Sequence, residues 1–135
     1  MSAISTKGRM HFLVFTATFD ADVMCRFLDR LAGRFDHKVH FVVDGHSAHC
    51  SRKVRAWLAD HPDRIELHFL PSCSPELNPE ELVNADLKRN LPMHSGARDQ
   101  AQLAAETRRF FHRRQRQPHI VRGYFGGPHV GCILE

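Results

Sequence analysis

Hydrophobic positions along the chain follow two periods, and the points where one gives way to the other mark its elements. Residues 2–5 read as a short strand, and Thr6-Lys7-Gly8-Arg9 as a hairpin loop closed by its glycine. Residues 11–19 follow as the returning strand. Leu13, Phe15, Ala17 and Phe19 fall on one face and Phe12 and Val14 on the other, so its first half should be covered on both sides. The period then changes to that of a helix. Val23, Phe27 and Leu31, with Met24 and Leu28 beside them, make one stripe, opened by Asp20 or Asp22 as cap and stopped by Gly33. Val39–Val43 reads as a buried strand that ends at Asp44-Gly45, and residues 51–60 as a helix carrying Val54, Trp57 and Leu58. Ile65, Leu67 and Phe69 alternate with Glu66 and His68, which predicts a strand, and Pro71-Ser72-Cys73-Ser74-Pro75 a stiff loop after it.

Residues 79–90 form the next predicted helix, acidic in its first turn (Glu80, Glu81) and basic in its last (Lys88, Arg89), as the helix dipole favours. Asp99-x-x-Gln102 resembles a capping box and opens a further helix, with Leu103, Thr107, Phe110 and Phe111 as its buried stripe. Beyond Gln117 the glycine-containing tail, residues 118–135, is expected to pack loosely, which leaves residues 1–117 as one domain. An antiparallel hairpin followed by strands alternating with helices implies an α/β fold with a mixed sheet, its later strands parallel and its helices on both faces.

Composition narrows the function classes. The chain has 135 residues, of which 42% are hydrophobic and 25% charged, ordinary values for one globular domain. Nineteen basic against fifteen acidic residues leave a net charge of +4, suited to a polyanionic partner. No apolar run approaches the ~18 residues of a membrane span, and the first ten residues lack the apolar core of a signal peptide, so a cytoplasmic protein without membrane contact is expected. Cys25, Cys50, Cys73 and Cys132 form no C-x-x-C pair. They read as separate, reduced, mostly buried thiols rather than a disulfide framework or a zinc site.

Two acids stand out by position. Asp44 follows a strand, at the edge where open α/β sheets place ligand-binding groups. Glu81 lies in the first turn of a helix behind a proline-braced loop. Carboxylates from two elements can share Mg²⁺ or Mn²⁺, hard ions that take oxygen ligands. Two such ions ~3.5–4 Å apart can clamp the attacking and leaving oxygens of a phosphoryl transfer. Read without further context, an Asp after a strand is more often a turn or cap residue, and a Glu in a first turn more often a helix-dipole partner.

At these residues the sequence resembles a family. Val42-Val43-Asp44-Gly45-His46-Ser47-Ala48-His49 looks like the strand-end motif of DDE transposases of the bacterial insertion-sequence and mariner-like group, where Asp-Asn and a later His are usual. The run from Phe69 to Glu81, with Leu70-Pro71, Ser74-Pro75, Leu77-Asn78-Pro79 and Glu81, resembles the same group's second block. The resemblance covers roughly residues 2–90. It implies an RNase H-like fold, a two-metal Mg²⁺ or Mn²⁺ site, and cleavage and strand transfer of DNA at transposon ends and target. Asp44 corresponds to the family's second aspartate and Glu81 to its third acidic ligand. Glu80 fills a variable position.

Two departures accompany the likeness. Gly45 stands where asparagine is common. The family's first aspartate lies on a strand ahead of the hairpin, whereas the acids before Asp44 are Asp20, Asp22, Asp29 and Asp36. The expectation is a C-terminal part of a transposase catalytic domain, lacking the first strand and inactive alone, with DNA, an upstream transposase segment or a second copy as partner, and associated with the nucleoid. The alternative is a non-catalytic remnant that binds DNA or a partner subunit.

Further residues qualify this reading. Gly45, His49, Asn78 and Pro79 would shape the site: His49 by orienting a carboxylate or touching DNA, Asn78 by capping the helix of Glu81. Lys88 can meet a phosphate. Arg108, Arg109, Arg113, Arg114 and Arg116, interrupted by Phe110 and Phe111, read as a basic helix face that holds DNA without reading bases, or as a solvated face. Trp57 and Phe27 are expected in the core.

Overall fold

The structure, a computed structural model, describes residues 1–71, 77–91 and 100–126. It divides into two compact units, Met1–Thr16 with Glu76–Glu135, and Ala17–Pro75.

The Ala17–Pro75 unit runs α1 (Ala21–Ala32), β3 (Val39–Val43), α2 (Arg52–Asp60) and β4 (Ile65–Phe69). Asp20 caps α1 by accepting a hydrogen bond from Val23 N at 3.0 Å, and Gly33 closes the helix. All five residues of the expected stripe are buried. Ser51 caps α2 in the same way, accepting from Val54 N. β3 and β4 pair in parallel, with Val39 opposite Ile65 and Val43 opposite Phe69. Such a pair requires a crossover, and α2 supplies it.

β3 is not the fully buried strand its composition suggests. Val43 is buried, but His40 and Val42 are exposed, Val42 by 54%. A strand of this apolar sequence becomes buried on both sides only if both faces of its sheet are covered. Trp57 likewise sits half-buried rather than in the core. Its indole N–H donates to Asp29 at 2.6 Å and its ring stacks on His61 at 4.1 Å. Cys50 is exposed and Cys25 partly so, both free thiols, against the expected burial. Cys73 and Cys132 lie outside the described residues.

The other unit holds β1 (Ser2–Ile4), β2 (Met10–Phe12), α3 (Glu80–Asn90), α4 (Gln100–Gln115) and α5 (Pro118–Gly123), closed by a 3₁₀ turn at Tyr124–Gly126. β1 and β2 form the expected antiparallel hairpin, Ser2 opposite Phe12. Gly8 takes φ +86° in its turn, and a Cβ there would lie 2.6 Å from the Pro118 carbonyl oxygen. Both the backbone angle and the close approach require glycine.

β2 ends at Phe12 rather than running to residue 19. Leu13 still exchanges hydrogen bonds with Met1 at 2.8 and 2.9 Å, and the next positions find no ladder on that side. Among the described residues the strands therefore make two separate two-stranded sheets, one antiparallel and one parallel, in place of a single mixed sheet.

The core of this unit gathers Met10, Val83, Phe110, Phe111, Val121 and Tyr124, with Phe12 stacked on Phe111 at 4.9 Å. Two expectations are corrected here. Leu103 is 44% exposed, and Ala104 takes the buried position beside it. The chain after Gln117 is no loose tail as far as residue 126: Val121, Tyr124 and Phe125 are buried, because α5 turns their apolar side chains into the cluster. Asp99, the expected cap of α4, lies outside the described residues, as does most of the proline-rich loop after Pro71.

Candidate functional site

Asp44 is the first residue past β3 and is exposed. Its setting is built locally. The Asp44 Oδ1 atom accepts from His46 N at 3.0 Å, a side-chain turn that bends the backbone away from the strand. His49 Nδ1 lies 3.1 Å from the same oxygen and 3.0 Å from the Asp44 carbonyl. An N–H at that position reaches both acceptors and ties the ring to the residue's backbone and side chain together. His49 is buried, with Phe19 against its ring at 5.5 Å.

The expected orienting role of His49 thus has a geometry. The braces fall on Oδ1, and Oδ2 accepts no hydrogen bond from a described residue. Gly45 shapes nothing by conformational freedom: it has no left-handed backbone, and a Cβ would meet nothing within 4 Å. His46 Nδ1 accepts from Ala48 N at 3.1 Å, so that nitrogen is committed to the loop.

Glu81 lies in the first turn of α3 and is exposed. Asn78 caps this helix start as expected. Its Oδ1 accepts from Glu80 N at 3.1 Å and its carbonyl from Glu81 N at 3.1 Å, while Pro79 supplies the adjoining helical backbone, φ −64°. Glu80, which sequence reasoning left without a role, turns inward. Its Oε2 accepts a short hydrogen bond from Ser2 Oγ, and its Oε1 is sealed from solvent without a partner. Burial pushes this carboxyl above the usual range, and the Ser2 bond only partly opposes the shift. Two adjacent glutamates therefore divide the work: Glu80 fastens the helix start to the hairpin, and Glu81 is left facing water. The sole signal for Glu80 in the sequence was its place beside a cap, since its partner is 78 residues away.

The basic helix is only partly the face that was expected. Arg108, Arg109, Arg113 and Arg116 are exposed and, with His112 and Gln117, line an open depression along α4. Arg114 departs from them. It is 9% exposed, and its guanidinium makes a two-pronged pair with Asp86, Nε at 2.9 Å and Nη2 at 3.2 Å, with Gln117 on Nη1 at 2.7 Å. Tyr124 Oη donates to the same carboxylate. Burial works against the charge of Asp86, but the bonds from Arg114 and Tyr124 outweigh it and hold the carboxyl below its ordinary value. The Tyr124 hydroxyl is pushed up to about 12, first by burial and then by its bond to Asp86. Arg114 is committed to the core by a carboxylate that sequence reasoning did not single out. Lys88, in the last turn of α3, is exposed.

Asp44, Gly45 and His49 belong to the Ala17–Pro75 unit, and Asn78, Pro79, Glu81, Lys88 and the arginines to the other. Both acids are solvent-facing carboxylates on short, capped supports, the oxygen donors a hard divalent cation takes. Residues 1–104 match the model of a family described as DDE superfamily endonuclease. No curated protein and no solved structure matches the chain. No helix among the described residues is long and apolar enough to cross a membrane.

Proposed function

The chain belongs to the DDE superfamily endonucleases, and from that premise we propose that it carries part of a transposase active site of the insertion-sequence and mariner-like type, in an RNase H-like fold. In this reading Asp44 and Glu81 jointly hold Mg²⁺ or Mn²⁺, and the substrate is DNA at transposon ends and target. The ion would supply Lewis-acid stabilisation of the phosphoryl oxygens. His49 aims the Asp44 carboxylate through its contact with Oδ1, leaving Oδ2 for the ion. Asn78 and Glu80 fix the helix start from which Glu81 projects. The exposed arginines of α4, with Lys88, hold backbone phosphates without reading sequence. Arg114 has no part in that contact, because its donors are engaged by Asp86, Gln117 and Tyr124.

The observation that carries the reading is the braced, exposed Asp44 at a strand end, inside the segment that matches the family. A third carboxylate is harder to assign to this chain. Asp20 caps α1, Asp22 pairs with Lys53, Asp29 accepts from Trp57, and Asp36 bonds His37. Each acid ahead of Asp44 thus has a hydrogen-bond partner of its own, and in this reading a carboxylate from another polypeptide segment completes the site.

The test is Mn²⁺ binding and plasmid nicking by the purified 135-residue chain. We expect weak Mn²⁺ binding, weakened further by both Asp44→Asn and Glu81→Gln, and no nicking without a complementing segment. Robust nicking abolished by Asp44→Ala would overturn the two-carboxylate claim. Mn²⁺ binding indifferent to either substitution would overturn the shared site. A non-catalytic, DNA-binding role is favoured by one observation, the arginine-lined depression of α4. Retention of DNA affinity, with no cleavage even when a complementing segment is supplied, would decide for it.

A further inference from the structure

The outward face of the parallel strand pair carries a group of side chains that the nuclease reading does not use. His40 of β3 stands directly opposite Glu66 of β4, and His68, two residues along β4, points to the same face. The parallel register thus puts two imidazoles and a carboxylate on one patch, all three exposed, with one possible ligand atom from each within 4.8 Å of the others.

We propose that His40, Glu66 and His68 form a binding site for a borderline transition ion of the zinc(II) class, separate from the Asp44 carboxylate. The distances carry it. His40 Nδ1 lies 3.1 Å from His68 Nε2 and 3.6 Å from Glu66 Oε2. Ligands ~2.0–2.1 Å from a tetrahedral zinc stand roughly 3.3–3.4 Å from one another, so these two separations bracket the edge of such a site. The donor set selects the ion. Two neutral imidazoles with one carboxylate suit zinc, nickel or copper, whereas Mg²⁺ takes oxygen almost alone.

Three protein ligands on an open surface leave the fourth position to water or to a group from an incoming molecule. A competitor is already present. Lys38 Nζ sits 3.1 Å from the same Glu66 oxygen, so an arriving ion must displace an ammonium, and removing that lysine should strengthen binding.

The experiment is zinc titration of the full chain by calorimetry in excess Mg²⁺, with Co²⁺ absorption as a second readout. One ion per chain is expected, with a Co²⁺ spectrum free of thiolate charge-transfer bands. His40→Ala and His68→Ala should each weaken zinc binding by at least about tenfold, with circular dichroism showing that both variants remain folded. Lys38→Ala should tighten it. Asp44→Asn should leave it unchanged, so failure of the nuclease reading and failure of this one are separable. No binding, binding insensitive to both histidine substitutions, weakening by Lys38→Ala, or a thiolate spectrum that places the ion on cysteines would each overturn the proposal.

Discussion

The two units hold their candidate acids by different means. In the Ala17–Pro75 unit the supports of Asp44 come from within five residues: His46 N and the His49 ring. The helices around it are started by their own caps, Asp20 and Ser51. In the other unit the contacts that set the helix of Glu81 reach far along the chain. Ser2 holds Glu80 from 78 residues away, and Arg114 and Tyr124 hold Asp86 from 28 and 38. Local supports survive when distant chain is rearranged, whereas long-range ones fail as a group. The Asp44 corner should therefore be the more tolerant of single substitutions and the α3 support the more brittle.

The largest effect is expected where that brittleness is concentrated. Arg114→Ala leaves the Asp86 carboxylate buried without its cation, a loss of about 3–5 kcal/mol for a broken buried pair, to be read from urea denaturation at pH 7. Replacing both partners, as in Asp86→Leu with Arg114→Met, should recover much of it, because no charge is then stranded. The pH dependence has a fixed sign. Asp86 has a folded pKa below its unfolded value of ~3.9, so its stabilisation is complete above that value and lost as pH falls through the depressed folded range. The gap between wild type and Arg114→Ala should accordingly close in acid. A gap that persisted once Asp86 was protonated would mean that Arg114 contributes by packing on Phe110, 4.9 Å from its guanidinium, rather than by pairing.

A smaller effect is expected in the other unit. Asp20→Ala removes the side-chain acceptor for Val23 N and should cost about 1 kcal/mol, read from the same denaturation curves. Asp20→Asn, which keeps an acceptor, should restore most of it. If the alanine variant lost as much as Arg114→Ala, the contrast between local and distant support would not hold.

This contrast also explains which parts of the fold could be read from sequence. The α1 stripe, the Asp20 cap, the Thr6–Arg9 turn and the capping role of Asn78 all depend on neighbours a few residues off, and each was legible. The pattern misled where a distant partner decides. Arg114 sits in an arginine run and nothing near it shows that Asp86 will claim it. Glu80 gives no local hint of Ser2. The sequence of 118–126 is glycine-containing and short, yet Val121 and Tyr124 reach a core assembled from β2, α3 and α4. Residues 13–19 have the composition of a strand, but a strand also needs a ladder, and periodicity carries no information about that. The contact between Asp44 and the histidine of its own motif lies within five residues and was legible. The His40, Glu66 and His68 patch was not, because the register between β3 and β4 creates it.

The smallest effect should come from a residue whose burial was misread. Leu103 fits the helical stripe of Thr107, Phe110 and Phe111 by spacing, and a core leucine there would cost several kcal/mol to replace with a polar residue. It is instead 44% exposed, with Ala104 buried beside it. The stripe of α4 is turned by one position at its start, since Ala104, Phe111 and Arg114 follow one face while Leu103 lies off its edge. Glutamine keeps the length and helix propensity of leucine, so Leu103→Gln should change stability by less than about 0.5 kcal/mol, as surface substitutions do. Ala104→Gln is the matching control. Its added atoms enter a packed site and should destabilise by about 1–3 kcal/mol. Urea denaturation of the pair checks the rotation of the helix directly: a Leu103→Gln loss equal to or above that of Ala104→Gln would mean that α4 presents the face its sequence spacing implied.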